Sequence, residues 1–357
     1  MRGRSSWRRA GRWGGLVLLS ALLVLLLEAL RLPAALLLGP MVAAITFAVA
    51  GAGMALPPAT FFLAQGIVGV MIAGVLPAAV FRRIAEDAPI FLAGTGSTVA
   101  AAGLLGWLLA RSGALPGTTA IWGSSPGAAT AMTVMSEAYG ADIRLVAVMQ
   151  YLRVLCCALA ATLVALLLGA RTFAEQHVEW FPAQPWGAVA GTLAIAAAGA
   201  WLGLRLRIPG GAILVPLAAG MAAQLAGLLP VTLPPAVLAA SYAVIGWAIG
   251  IRFDRAVLGH AARLLPRLLA SILALIATSA GCGLLLVHLA GIDPLTALLA
   301  TSPGGADSVA IIATATKADI PFVMAMQVAR FLMVVLAGPA LARLLSAGRG
   351  ERRRPRR

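Results

Sequence analysis

The chain has 357 residues, of which 61% are hydrophobic and 11% charged, and its mean hydropathy is +0.97. A soluble domain carries about 25% charged residues, so a single soluble core is excluded and the bilayer must solvate most of this surface. The net charge of +15 sits largely at the ends, with five arginines before residue 13 and five among the last six residues; no aromatic or folded reader accompanies them, and direct nucleic-acid binding is not expected.

In chain order, a basic tail (1–13) precedes apolar segments near 14–30, 34–50, 58–80, 89–110, 118–137 and 143–169. A polar linker (171–186) follows, with Arg171, Glu175, His177, Glu179, Pro182 and Pro185. Further apolar segments lie near 187–204, 210–227, 235–251, 267–290, 295–315 and 320–345, and a second basic tail covers 346–357. The second segment of each set is short and bracketed by Pro and Gly, and the fifth is interrupted by Ser-Pro-Gly. A full helical span needs about 20 residues, so about 10 to 12 crossings are expected. Basic flanks stay in the cytoplasm and can also meet anionic headgroups. Both termini are therefore expected in the cytoplasm of a cell bounded by a plasma (inner) membrane.

The two sets match each other. Ser125-Pro126-Gly127 recurs as Ser302-Pro303-Gly304, Asp142-Ile143 as Asp319-Ile320, and Met149-Gln150-x-x-Arg153 as Met326-Gln327-x-x-Arg330, always 177 residues on. Leu56-Pro57-Pro58 pairs with Leu233-Pro234-Pro235 and Gly69 with Gly246 at the same offset; Pro40 pairs with Pro216 one residue short of it. The expected fold is an all-α polytopic membrane protein of two tandem repeats, 14–170 and 187–345, with one Ser-Pro-Gly-broken helix in each. Segment 14–30 resembles a signal peptide, but its internal counterpart at 187–204 marks it as a retained helix. The equivalent basic loops, Arg82-Arg83 and 252–267, favour parallel over inverted repeats.

Proline lacks an amide hydrogen and clashes with the preceding turn, so each Ser-Pro-Gly should break its helix. Ser125 and Ser302 are expected to cap the restarting helix, and Gly127, Gly304 and Gly305 to free backbone groups. Such groups survive at membrane depth only against protein or a wet cavity, and the amide hydrogens of a helix start attract anions. Asp142 and Asp319 read as N-caps. Arg153 and Arg330 follow their aspartates by 11 residues, about 16 Å along a helix and so near mid-membrane, where arginine costs about 2.5–3.5 kcal/mol on insertion scales. Gln150 and Gln327 share a helix face with them. Each Gln-Arg pair is either a binding surface for a carboxylate or other oxyanion or a strut bonded to the broken helix. Asp307 and Glu137 either couple to protons or Na⁺ or neutralise the arginines.

Cys156, Cys157 and Cys282 lie in apolar stretches without metal spacing, and His177, His260 and His288 are scattered. No metal site, cofactor, paired catalytic carboxylates or phosphate-cradling loop is expected, and enzyme chemistry is not.

The run Leu299-Ala300-Thr301-Ser302-Pro303-Gly304-Gly305-Ala306, Lys317-Ala318-Asp319-Ile320 and Met326-Gln327-Val328-Ala329-Arg330, with their first-half counterparts, resemble the bacterial membrane AbrB family. This is the duplicated group distinct from the soluble DNA-binding regulator of that name. Unit one departs from the pattern in reading Ser-Pro-Gly-Ala, and Asp307 has Thr130 as its counterpart. The resemblance implies regulation of gene expression or, by a second label, an ammonia monooxygenase. It also implies a fold like that of cation/proton antiporters and bile-acid-type transporters, with crossed broken helices.

Three functions follow as expectations. The first is secondary transport of a small anionic solute or organic acid, with expression changes following solute levels. The second is a membrane-embedded regulator acting through a partner. The third is a membrane enzyme, for which the residues offer no site. Homo-oligomer formation stays open.

Overall fold

The computed structural model describes residues 3–30, 34–74, 84–127, 129–167, 180, 182–208, 210–304, 309 and 318–346. Residues 171–179, Arg82, Arg83, Gly305, Asp307 and 347–357 of the C-terminal tail, all named above, lie outside them. Among the described residues the elements are helices: α1 (Gly3–Ala29), α2 (Ala35–Val49), α3 (Pro58–Gly74), α4 (Ala88–Arg111), α5 (Gly117–Ser124), α6 (Ala129–Ala138), α7 (Ile143–Leu167), α8 (Trp186–Arg205), α9 (Gly211–Leu225), α10 (Pro235–Gly250), α11 (Arg255–Ala290), α12 (Pro294–Thr301) and α13 (Ile320–Ser346). Five stretches are long and apolar enough to cross a membrane: Gly11–Ala29, Ala88–Arg111, Ile143–Ala161, Trp186–Arg205 and Arg255–Ala290. Five more apolar helical stretches are shorter, namely α2, α3, α9, α10 and Ile320–Leu336 of α13. This set is compatible with a multi-pass membrane protein. Leucines at 18, 25, 92, 104, 273 and 285 are more than half exposed, as lipid-facing positions are.

The chain forms two compact units, each assembled from two stretches: Met1–Pro77 with Gln176–His260, and Ala78–Glu175 with Ala261–Arg357. In the first, α3 packs on α9 and α10 on α2. Glycine allows the close approach. A Cβ on Gly246 would lie 2.6 Å from the Leu37 carbonyl of α2, and Gly69 of α3 meets the Ile213 carbonyl of α9 in the same way. Trp247 donates its indole N–H to Ser20 Oγ at 2.9 Å, tying α10 to α1. Both α2 and α9 begin after a left-handed residue, Ala34 (φ 58°) and Gly210 (φ 69°).

The second unit holds α4–α7, α12, α13 and most of α11. Phe91 of α4 packs at a tilt against Phe322 of α13, 5.3 Å between ring centres, within a core that also includes Leu299 and Met326. α5 lies against α4, α7 and α13, and α12 against α13. Both helix breaks therefore belong to this one unit.

Candidate functional site: two arginines on two helix breaks

α5 stops at Ser124 because Pro126 supplies no amide hydrogen and forces the residue before it into extended backbone. Ser125 has φ −62° and ψ 124°. α12 stops at Thr301 in the same manner, with Ser302 at φ −54° and ψ 128°. The next described helix after the first break, α6, begins at Ala129. Ser125 does not cap it as the sequence suggested. Its hydroxyl turns back to donate to the Ile121 carbonyl at 2.8 Å, because the chain first makes a turn in which Gly127 N–H donates to Ser125 O.

Each break releases carbonyls, and the Gln-Arg pair of the following long helix binds them. On α7, Gln150 donates Nε2–H to Trp122 O (2.7 Å) and Ser125 O (3.0 Å). Its Oε1 accepts from Arg153 Nη2 at 2.8 Å. Arg153 Nη1 donates to Ser125 O at 2.7 Å and Nη2 to Gly127 O at 3.5 Å. On α13, Gln327 donates to Leu299 O (3.1 Å) and Ser302 O (3.3 Å). Its Oε1 accepts from Arg330 Nη2. Arg330 Nη1 donates to Ser302 O at 2.5 Å and Nη2 to Gly304 O at 3.3 Å. Every bond of the first cradle thus has a counterpart 177 residues on.

The cradles differ in one respect. Arg330 also donates Nε–H to Pro126 O, in the other break, at 3.1 Å. Arg153 Nε is buried and has no partner among the described residues. Arg153 is 1% exposed and Arg330 3%. Among the described residues no carboxylate pairs with either guanidinium. Among the described residues the two buried guanidiniums are met by carbonyl and amide oxygens, and Cys157 lies within electrostatic range of both.

Asp142 and Asp319 stand at the helix starts. Asp142 Oδ1 accepts from Arg144 N–H and Asp319 Oδ1 from Phe322 N–H, each at 3.0 Å. Their own amides donate to Thr119 Oγ1 and Thr296 Oγ1, also at 3.0 Å. Asp142 further pairs with the Arg144 side chain at 2.8 Å. Burial alone would raise the Asp142 carboxyl, but the hydrogen bonds and charge of Arg144, with the amide of Leu145, hold it below the ordinary value of 3.8. Glu137 is exposed near the end of α6. Among the described residues no three His, Cys, Asp or Glu side chains gather as metal ligands would. The threonines went unread in the sequence, although they too stand 177 residues apart.

The family described as "Transition state regulatory protein AbrB" matches this chain over residues 36–346. The chain belongs to the AbrB family. A relative in the family from Escherichia coli (strain K12), named "Putative regulator AbrB", is 46% identical over 337 residues, covering 94% of this chain and 97% of its own length. The AbrB match takes in both Ser-Pro-Gly breaks and both arginines described above.

Proposed function

We propose that this AbrB-family chain is a secondary transporter of a small anion or organic acid in the bacterial inner membrane. It has two tandem repeats, about 10 to 12 crossings and both termini in the cytoplasm. The observation that carries the reading is the pair of buried guanidiniums, held on helix breaks with no carboxylate partner among the described residues. Buried charge at such depth is costly, and a soluble anion entering beside the breaks offsets it. Helix breaks near mid-membrane form substrate sites in transporters built from repeats, which supports the same reading by analogy. Gln150 and Gln327 orient the arginines, Ser125, Gly127, Ser302, Gly304 and Gly305 form the breaks, and Asp307 and Glu137 are candidates for ion coupling. No enzyme chemistry is assigned.

Proteoliposome uptake over a panel of monovalent anions and organic acids tests this. Arg153→Gln and Arg330→Gln should each abolish uptake in protein that still elutes as folded particles. Wild-type protein moving none of the panel would refute transport.

The name of the Escherichia coli relative favours a second reading, in which the protein regulates gene expression through a soluble partner. Co-purification of one partner with the wild-type protein, in the absence of solute movement, would select it.

A further inference from the structure

A recess beside the second arginine cradle opens in the second unit between α7, α11 and the end of α12. Its walls include Cys157, Val164, Ile276, Ser279, Leu299 and Ser302, and the space, its mouth included, is about 420 Å³. Most of the lining is aliphatic; its polar side chains are Cys157, Ser279 and Ser302.

Ser279 carries the argument. It is 1% exposed, and its Oγ has no hydrogen-bond partner among the described residues. A serine or threonine inside a helix ordinarily donates back to the carbonyl four residues earlier. Its neighbour Thr278 does so, to Ala274 at 2.7 Å. Ser279 does not, and an unpaired buried hydroxyl is costly, so the recess holds a donor without an acceptor. Cys157 on the facing helix abuts the second break, where a Cβ on Gly304 would come within 3.2 Å of its own Cβ. Ser302, whose carbonyl holds Arg330, contributes the second hydroxyl. The recess thus lies beside two positive charges in apolar surroundings, where their field is strong.

We propose that this recess binds a small aliphatic monocarboxylate. The carboxylate accepts hydrogen bonds from Ser279 and Ser302, and the hydrocarbon part lies against Val164, Ile276 and Leu299. A dicarboxylate would set a second charge against apolar wall, which is unfavourable. A neutral analogue would gain nothing from the arginines. The assignment deepens the anion-transport reading and rests on it for the route by which solute arrives.

Cys157 supplies the readout. In full-length protein carrying Cys156→Ser and Cys282→Ser, its modification is timed with an anionic sulfonatoethyl and a cationic trimethylammonioethyl methanethiosulfonate. The anionic reagent should react about tenfold faster, relative to the same ratio on a free thiol. Butyrate should slow labelling about fivefold at saturation, while succinate and butyramide leave it nearly unchanged. Ser279→Ala removes a hydroxyl that bonds nothing among the described residues, so it should fold normally and lose the protection by butyrate. A cationic reagent that reacts as fast, or equal protection by butyramide, would overturn the proposal. So would modification only by a membrane-permeant maleimide, or protection by anionic phospholipid but not by butyrate, since either makes the recess a lipid pocket. Protection by butyrate without uptake of any anion would remove transport and keep the site. Uptake of butyrate at wild-type rate and KM in Ser279→Ala would keep transport and remove the site.

Discussion

Arg330 donates its Nε–H to the carbonyl of Pro126 at 3.1 Å, across 204 residues of chain. The guanidinium that closes the second break therefore also closes the first. Arg153, its counterpart, makes no such bond from Nε.

Lysine at either position keeps the charge but loses the planar fork that reaches several carbonyls at once. Arg330→Lys should be the more damaging of the two, by about 1.5–3 kcal/mol, the value of one hydrogen bond to a charged group. Thermal unfolding of both variants in one detergent checks the ordering; equal losses would show that the Pro126 bond contributes nothing.

Thr119 and Thr296 each accept a hydrogen bond from the amide of a capping aspartate. Valine has the same shape and no acceptor. Thr119→Val and Thr296→Val should each cost about 1–3 kcal/mol, because a partly buried amide loses its partner. The double variant should lose the sum to within about 0.5 kcal/mol if the sites are independent. Chemical denaturation measures both.

Ala34 and Gly210 hold the same left-handed backbone before α2 and α9. Glycine adopts it without steric cost and alanine does not. Ala34→Gly should stabilise the protein by about 1 kcal/mol and Gly210→Ala should destabilise it by a similar amount. Opposite signs in melting temperature are the outcome to look for.

The Asp142 carboxyl is held below 3.8 by Arg144 and the helix amides. A carboxylate with a depressed value contributes stability above its unfolded value and loses it as pH falls through the folded one. The stability gap between wild type and Asp142→Asn should stay level from about pH 7 to 5 and close below about pH 4. A gap that widens on acidification would contradict the ion pair.

Much of this arrangement was legible in the residues. Proline and glycine punctuate the chain, and the apolar segment read as 143–169 is the helix Ile143–Leu167. The segment read as 235–251 is Pro235–Gly250. The Ser-Pro-Gly breaks followed from the chemistry of proline, and the Gln-Arg spacing placed both side chains on one face. The direction in which the breaks point did not follow. Released carbonyls and released amides arise from the same motif, and only the packing of α7 and α13 selects the carbonyls. The bond from Arg330 to Pro126 was hidden for a similar reason. It depends on how two distant stretches meet, and no local pattern encodes that. Nor did the helical period mark Ser279, since a serine among apolar residues reads as a small packing residue until its hydroxyl is found without an acceptor.

α11 runs for 36 residues, about 54 Å at 1.5 Å per residue, against a hydrocarbon thickness of about 30 Å. Even a steep tilt cannot absorb that surplus. Crossing a bilayer, such a helix would leave several turns among the phospholipid headgroups, and its first turns carry the exposed Arg255, Arg263 and Arg267. Those arginines would moor that end of the helix to one bilayer face by charge. Attachment at that end should weaken with rising ionic strength and tighten with the fraction of anionic lipid.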